Sequence, residues 1–180
     1  MGGSSDKIKY FSLIVPFSSD GRQILLGRKK RGMGKGLWNG FGGKPEKGEA
    51  MSHCAFRELH EESGLHATEY ECAGILYMDD TNGPSYHIPV YRATKYTGEV
   101  SESDEMEPRW FDACADALPF EEMHVEAKLW WSRLFSKEAF VARFLFEGEE
   151  VVSQDVCCVA SETLEEHVGR VDAILLAGGE

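Results

Sequence analysis

Apolar and polar positions alternate along much of this chain in short extended runs, interrupted by a few stretches with helical spacing. Residues 8–15 (IKYFSLIV) and 23–28 read as strands around a turn at Ser18-Ser19-Asp20-Gly21. Further strands are predicted near 69–77, 86–95 and 106–111, the last with Trp110 and Phe111, and then near 139–146 and 150–158. From about Glu49 to Ser63 the period becomes helical. Met51, Ala55 and Leu59 recur every four residues on one face, and Gly64 stands where a C-terminal cap belongs. A second helix is predicted over 121–135, with Met123, Ala127, Trp130, Trp131 and Leu134 as its apolar stripe. A third is predicted over 163–177. There Thr163 and Glu166 have capping-box spacing, Leu164, Val168, Val171, Ile174 and Leu175 share a face, and Gly178-Gly179 ends it. That face fits docking on the parent domain or a partner or dimer surface. Mixed strands and helices indicate an α+β class, layered as α/β/α.

Between the first strands and the first helix lies a stretch, Gly32 to Gly48, with seven glycines and one proline. A loop of that length in a compact domain usually carries function. The helix after it presents Arg57, Glu58, Glu61 and Glu62. At about 100° per residue, Glu58 and Glu62 nearly stack and Glu61 lies about 60° to the other side. Three carboxylates so placed destabilise an isolated helix by a few tenths of a kcal/mol per pair. A divalent cation removes that repulsion, and magnesium takes hard oxygen ligands alongside substrate phosphates. A solvated acidic face is the competing explanation for three acids alone.

Composition narrows the classes. Of 180 residues, 42% are hydrophobic and 28% charged, which is ordinary for one folded domain and excludes disordered, collagen-like and coiled-coil chains. No apolar run approaches the roughly 18 residues of a membrane span, so no membrane association is expected. The first ten residues lack the apolar stretch of a secretory leader. The net charge of -12, from 31 acids and 19 bases, argues against a nucleic-acid polymer as partner. Phosphates would have to be handled by bound metal or by a local basic patch such as Lys29-Lys30-Arg31. Five cysteines without CxxC spacing suggest free thiols in a reducing compartment and no zinc site, although adjacent Cys157 and Cys158 leave room for redox sensitivity.

The flanks of the acidic helix sharpen the picture. Gly43 is followed by five residues and Glu49, then by seven residues and Arg57-Glu58-Leu59, His60, Glu61-Glu62, Ser63 and Gly64-Leu65. These match all nine specified positions, over 23 residues, of the Nudix box G-x5-E-x7-R-E-U-x-E-E-x-G-U, where U is aliphatic. The chain resembles a Nudix hydrolase. The resemblance implies a Nudix-like sandwich, with a mixed sheet between helices, over residues 8–158, followed by an amphipathic helical extension at 159–180. It implies hydrolysis of a phosphoanhydride in a nucleoside diphosphate linked to another group, with Mg2+ (or Mn2+) as cofactor. By motif position, Glu58, Glu61 and Glu62 are the metal-site acids. Arg57 and Glu49 are a supporting pair, and Gly42 and Gly43 form the turn whose backbone approaches metal and phosphate. Which glutamate takes the water's proton is left open.

Blocks outside the box extend the likeness: Gly27-Arg28-Lys29-Lys30-Arg31-Gly32, then Gly36-Leu37-Trp38-Asn39-Gly40-Phe41-Gly42-Gly43-Lys44, then Glu102 to Met106, Trp110-Phe111, and Leu118-Pro119-Phe120 with Met123. They are similar to the animal MutT-type oxidised-purine nucleoside triphosphatases over roughly 10–156. That likeness implies Asn39 as reader of a purine edge and Glu105 as a distal metal acid. It places Met33, Phe41, Gly43, Lys44, His124 and Glu126 at the substrate. Asn39 as a turn residue and Glu105 as a solvated acid are the plainer alternatives. The chain departs from that group where a stacking tryptophan and an aspartate pair belong: it has His124, Glu126 and Ala127. The phosphate chemistry is expected to persist while base selection shifts, unless the 121–135 helix moves and Glu122 replaces the lost contact.

The leading expectation is a Mg2+-dependent nucleoside triphosphate pyrophosphohydrolase releasing a monophosphate and pyrophosphate, in the cytoplasm by default or in a nuclear or organellar pool. Alternatives are a Nudix hydrolase of dinucleotides, nucleotide sugars or diphosphoinositol phosphates, and a non-catalytic binding module.

Overall fold

The computed structural model describes residues 8–177. In chain order the elements are β1 (Lys9–Tyr10), β2 (Leu13–Pro16), β3 (Gln23–Lys29), β4 (Trp38–Asn39), α1 (Met51–Ser63), β5 (His66–Asp80), β6 (Tyr86–Thr97), β7 (Met106–Asp112), α2 (Ala127–Trp130), α3 (Ser132–Ser136), β8 (Phe140–Glu147), β9 (Glu150–Cys158) and α4 (Ser161–Ala177). Two short 3-10 turns, Ala115–Ala117 and Phe120–Glu122, precede α2. The main sheet runs β1-β6-β5-β8-β9, with β2 also parallel to β6, and a smaller antiparallel sheet runs β4-β3-β7. Pairing is mixed: β5 is antiparallel to β6 and parallel to β8.

Alternation along β2 shows how the layers form. Leu13 and Val15 point into one cluster with Trp130, Trp131 and Leu134 of the α2–α3 segment. Ile14 points into the other with Met51, Ala55 and Leu59 of α1 and Leu164 and Val171 of α4. Helices thus cover both faces, as the α/β/α expectation requires. No helix among the described residues is long and apolar enough to cross a membrane. All five cysteines are free thiols.

Several boundaries differ from the sequence reading. The predicted strand 8–15 breaks at Phe11–Ser12, because the Ser12 N–H donates to the Gly43 carbonyl at 2.9 Å instead of continuing the ladder. The glycine-rich stretch contains an unforeseen strand, β4, paired Gly27↔Asn39 and Arg28↔Trp38. The continuous helix over 121–135 is corrected. Met123 has extended backbone (φ -121, ψ 174), so no helix passes through it, and regular turns begin only at Ala127. The stripe was real as burial, since Met123 and Ala127 both enter the core, but it was not one helix. The capping box is also corrected: α4 begins at Ser161, so Thr163 and Glu166 lie inside it, and Glu166 pairs with Arg170. The Gly178-Gly179 stop lies outside the described residues.

Candidate active site

The acidic helix is anchored before it is functional. Met51, Ala55 and Leu59 are fully buried under the sheet, and Gly64 caps the end in the left-handed region (φ 78), its N–H donating to the His60 carbonyl. That fixes which side α1 shows to the glycine-rich loop. Arg57 is the hub on that side. Its Nε and Nη2 donate to the two carboxylate oxygens of Glu49, both at 3.0 Å, and Nη2 also donates to the Lys44 carbonyl at 3.1 Å. Its Nη1 donates to Glu58 Oε1 at 2.9 Å and to Glu61 Oε2 at 3.3 Å. The guanidinium holds the Glu49 carboxyl below its usual range, and these partners raise Arg57 itself. One planar fork therefore fastens the loop to the helix and orients two of its acids.

Glu62 faces inward and is only 2% exposed. It accepts the Gly42 N–H at 3.0 Å. Burial pushes its carboxyl up to about 7; the Gly42 amide and Lys29 oppose the rise, while Glu58 and Glu105 add to it. Glu58 is raised as well, first by burial, with Arg57 opposing and Glu61 and Glu105 adding. Folded metal-free protein thus binds the Glu62 proton more tightly than the unfolded chain does. The Glu62 contribution to stability is complete below about 4.5 and is lost as pH rises to about 7. Chemical unfolding of metal-free wild type against Glu62→Gln across that window is expected to show wild type losing stability relative to the variant. A pH-independent difference contradicts it.

Gly42 and Gly43 are packed closely, against Ser12 of the strand edge and Glu58 of the acidic helix. A Cβ on Gly43 would stand 2.3 Å from Glu58 Oε1, and one on Gly42 would stand 2.0 Å from the Ser12 carbonyl oxygen. The second neighbour is backbone and cannot step aside. Gly42→Ala is therefore expected to lose about 3 kcal/mol or more, read by denaturant unfolding. A loss under about 1 kcal/mol would mean that the loop is not pressed on β2.

Among the described residues no three His, Cys, Asp or Glu side chains converge to metal-binding distance. Glu58 and Glu61 are held by Arg57, Glu62 by a backbone amide, and Glu105 by Arg31 through Nε at 3.2 Å and through Nη2. The donor chemistry nevertheless fits a hard divalent cation. Glu58, Glu62 and Glu105 are close enough to repel one another, and the buried Glu62 has an amide rather than a cationic side chain bonded to it.

Next to this cluster opens a cavity of about 750 Å³. Asn39, Gly42 and Gly43 line it together with Met33, His124, Glu126 and Ala127, so the loop beside the acidic helix and the suspected base wall share one space. Asn39 ends β4 and its Oδ1 accepts the Gly40 N–H at 2.9 Å, which holds the amide in place. Met33 is exposed on the rim, and a Cβ on Gly34 would meet the His124 ring at 3.3 Å. Glu126 is buried; burial raises its carboxyl and His124 opposes the rise. Glu122 does not take over the missing contact: it pairs with Arg28 at 3.5 Å on the surface.

Two assignments change. Phe41 does not line the cavity but is fully buried in the α1-side core, because its backbone bridges to Ile14 and turns the ring under Gly27. Lys44 is exposed, with Nζ 5.6 Å from the centre of the Phe11 ring, and it reaches the site through that ring and through its carbonyl on Arg57. Lining residues that sequence reasoning did not single out include Phe11, Asp80 and Glu149. No local motif marks them, since they arrive from β1–β2, β5 and the β8–β9 turn.

Comparisons with known proteins agree with this architecture. Residues 10–139 match the family model for the NUDIX domain. The chain is 43% identical over 133 residues to a zebrafish (Danio rerio) protein named oxidized purine nucleoside triphosphate hydrolase, covering 72% of this chain and 83% of that one. It is 36% identical over 132 residues to the mouse (Mus musculus) protein of the same name, covering 73% and 83%. Among solved structures, a MutT protein from Bacillus halodurans superposes with a TM-score of 0.68 at 24% identity, covering 82% of this chain and 97% of that one, a likeness of fold. The arginine-centred acidic helix, the glycine pair pressed against it and a domain match spanning most of the sequence lead to one conclusion: the chain belongs to the Nudix family of hydrolases.

Proposed function

We propose that this protein is a Mg2+-dependent nucleoside triphosphate pyrophosphohydrolase that clears purine nucleotides, oxidised ones among them, from a cytoplasmic pool. The carrying observation is the single cavity shared by Gly42-Gly43, which pack on Glu62 and Glu58, and by Asn39, His124 and Glu126. The names of the zebrafish and mouse relatives support the substrate class. In this reading, Glu58, Glu61, Glu62 and Glu105 hold the cation with help from the Gly42 backbone. When bound, Mg2+ neutralises phosphate charge and lowers the pKa of a coordinated water. The chain's own residues do the rest. Arg57, braced by Glu49, keeps Glu58 and Glu61 in place. The Gly43 backbone borders the phosphates. Asn39 offers an amide donor and acceptor to a purine edge, while His124, Glu126 and Met33 border the base. Hydrolysis breaks one phosphoanhydride P–O bond; water adds hydroxyl to one phosphoryl group, its proton leaves through a carboxylate, and monophosphate and pyrophosphate result. The catalytic domain spans 8–158, followed by an extension at 159–180 whose helix α4 (Ser161–Ala177) packs on it.

The test is product release with and without Mg2+: pyrophosphate from canonical and oxidised nucleoside triphosphates, nucleoside monophosphate from dinucleotides and nucleotide sugars, and inorganic phosphate from diphosphoinositol phosphates. Metal-dependent turnover is expected to be fastest on purine triphosphates. Preference for another class, or no turnover, overturns the proposal. In the same assay Asn39→Ala is expected to lower discrimination for purine over pyrimidine nucleotides by about 1–3 kcal/mol. Equal losses on every substrate would leave Asn39 as a turn residue.

A further inference from the structure

The acidic helix has no N-terminal cap of its own. Ala50 occupies the cap position with extended backbone (φ -70, ψ 151) and no side-chain hydrogen bond, and the first turn contains no acid. The first amides of a helix have no intrahelical acceptor. Here the ladder starts with the Cys54 N–H on the Ala50 carbonyl at 3.0 Å. The Met51 N–H instead donates to Asp172 Oδ1 at 2.8 Å, across 121 residues of sequence. Asp172 belongs to α4, which lies beyond the residues matched by the NUDIX domain model. α4 is fixed there by Leu164 and Val171, buried in one cluster with Met51, Ala55 and Leu59, and by His167, whose Nδ1 is 2.6 Å from the Tyr77 hydroxyl.

We propose that Asp172 is a positioning residue for the metal-binding face of α1, so that the C-terminal helix sets divalent-cation affinity. The inference rests on the metal reading of Glu58 and Glu62. Both acids meet the glycine pair at close quarters: Glu62 accepts from the Gly42 amide at 3.0 Å, and no methyl fits between Gly43 and Glu58. Sites of this kind tolerate displacements of only about 0.5 Å. Fraying or axial slip of α1 at Met51 would move both acids relative to the loop. A carboxylate at a helix N-terminus also opposes the helix dipole favourably. A typical cap is worth about fivefold in an equilibrium, which sets the scale of the effect.

The experiment uses the full chain and four proteins: wild type, Asp172→Ala, the double variant Asp172→Ala with Ala50→Ser, and Ile174→Ser on the exposed face of α4 as control. Amide hydrogen exchange is followed without metal, and Mn2+ binding by calorimetry. In Asp172→Ala the Met51 amide is expected to lose protection and the Mn2+ Kd to rise about three- to tenfold. Ala50→Ser supplies a local cap through the Ser52 or His53 N–H, so it is expected to restore the Kd but not protection of the Met51 amide, while Ile174→Ser changes neither. A weaker Kd that the local cap does not restore makes Asp172 a mere anchor and overturns the proposal. So does an unchanged Kd in Asp172→Ala despite exposure of the Met51 amide. Wild type that binds no Mn2+ overturns the metal reading itself, and the proposal with it. If Asp172→Ala does not fold, the double variant decides: affinity near wild type supports positioning, and tenfold weaker binding refutes it.

Discussion

Replacing Glu62 with glutamine is expected to lower kcat at least about 100-fold while the fold survives. The substitution keeps shape and leaves a carbonyl oxygen for the Gly42 N–H, so the loop contact at 3.0 Å has an acceptor in either case. What disappears is the one acid of the cluster that is almost completely buried. In the proposed reading, a cation in the site balances the charge of this buried carboxylate, which burial and the neighbouring Glu58 and Glu105 otherwise disfavour. Glu61 provides the contrast: its side chain is 56% exposed and Arg57 already occupies it, so Glu61→Gln is expected to cost less. The measurements are kcat, the Mg2+ titration and the thermal midpoint of each variant. Near-normal kcat with unchanged Mg2+ dependence in Glu62→Gln would remove Glu62 from the metal site.

The second large effect concerns the base wall. His124→Trp, Glu126→Asp and Ala127→Asp together are expected to shift the ratio of kcat/KM between 8-oxo-dGTP and dGTP by several-fold to a hundredfold toward the oxidised base, leaving the phosphate chemistry alone. Ala127 lines the cavity without a polar atom in its side chain, and Glu122, the candidate replacement for the lost acid, faces Arg28 instead. Two neighbouring carboxyls can share a proton, so that one donates while the other accepts; Glu126 alone does one or the other. A lost buried hydrogen bond costs about 0.5–1.5 kcal/mol, and roughly 1–3 if its partner is left unsatisfied, which sets the size of the expected shift. His124 adds a smaller stacking surface than indole. If wild type already prefers the oxidised base by orders of magnitude and the triple variant gains nothing, this account of the wall is wrong.

The acidic helix was legible because its chemistry is local. Residues one turn apart on a helix must be neighbours, so the order of Arg57, Glu58, Glu61 and Glu62 already places them together, and the capping glycine ends the turn within the same segment. The Nudix resemblance implied Glu49 as the partner of Arg57 by motif position, and the two meet through both carboxylate oxygens. Phe41 shows the limit. Its motif singled out the segment, but Phe41 lies beyond β4, and only its isolated bridge to Ile14 decides that the ring enters the core. The helix drawn over 121–135 failed for a related reason. Apolar spacing reports which residues are buried, and a chain that bends at Met123 can bury the same residues as a straight helix.

By itself, then, the sequence determined the family, the α/β/α layering and the acids of one helix turn, because motif spacing and side-chain periodicity act within a few residues. Tertiary structure alone decided that Glu62 is buried against Gly42 while Glu61 is exposed, that Glu105 is bonded to Arg31, and that Asp172 reaches the amide of Met51. Each of these depends on how separate elements pack, and burial and hydrogen bonding across such distances leave no period in the chain.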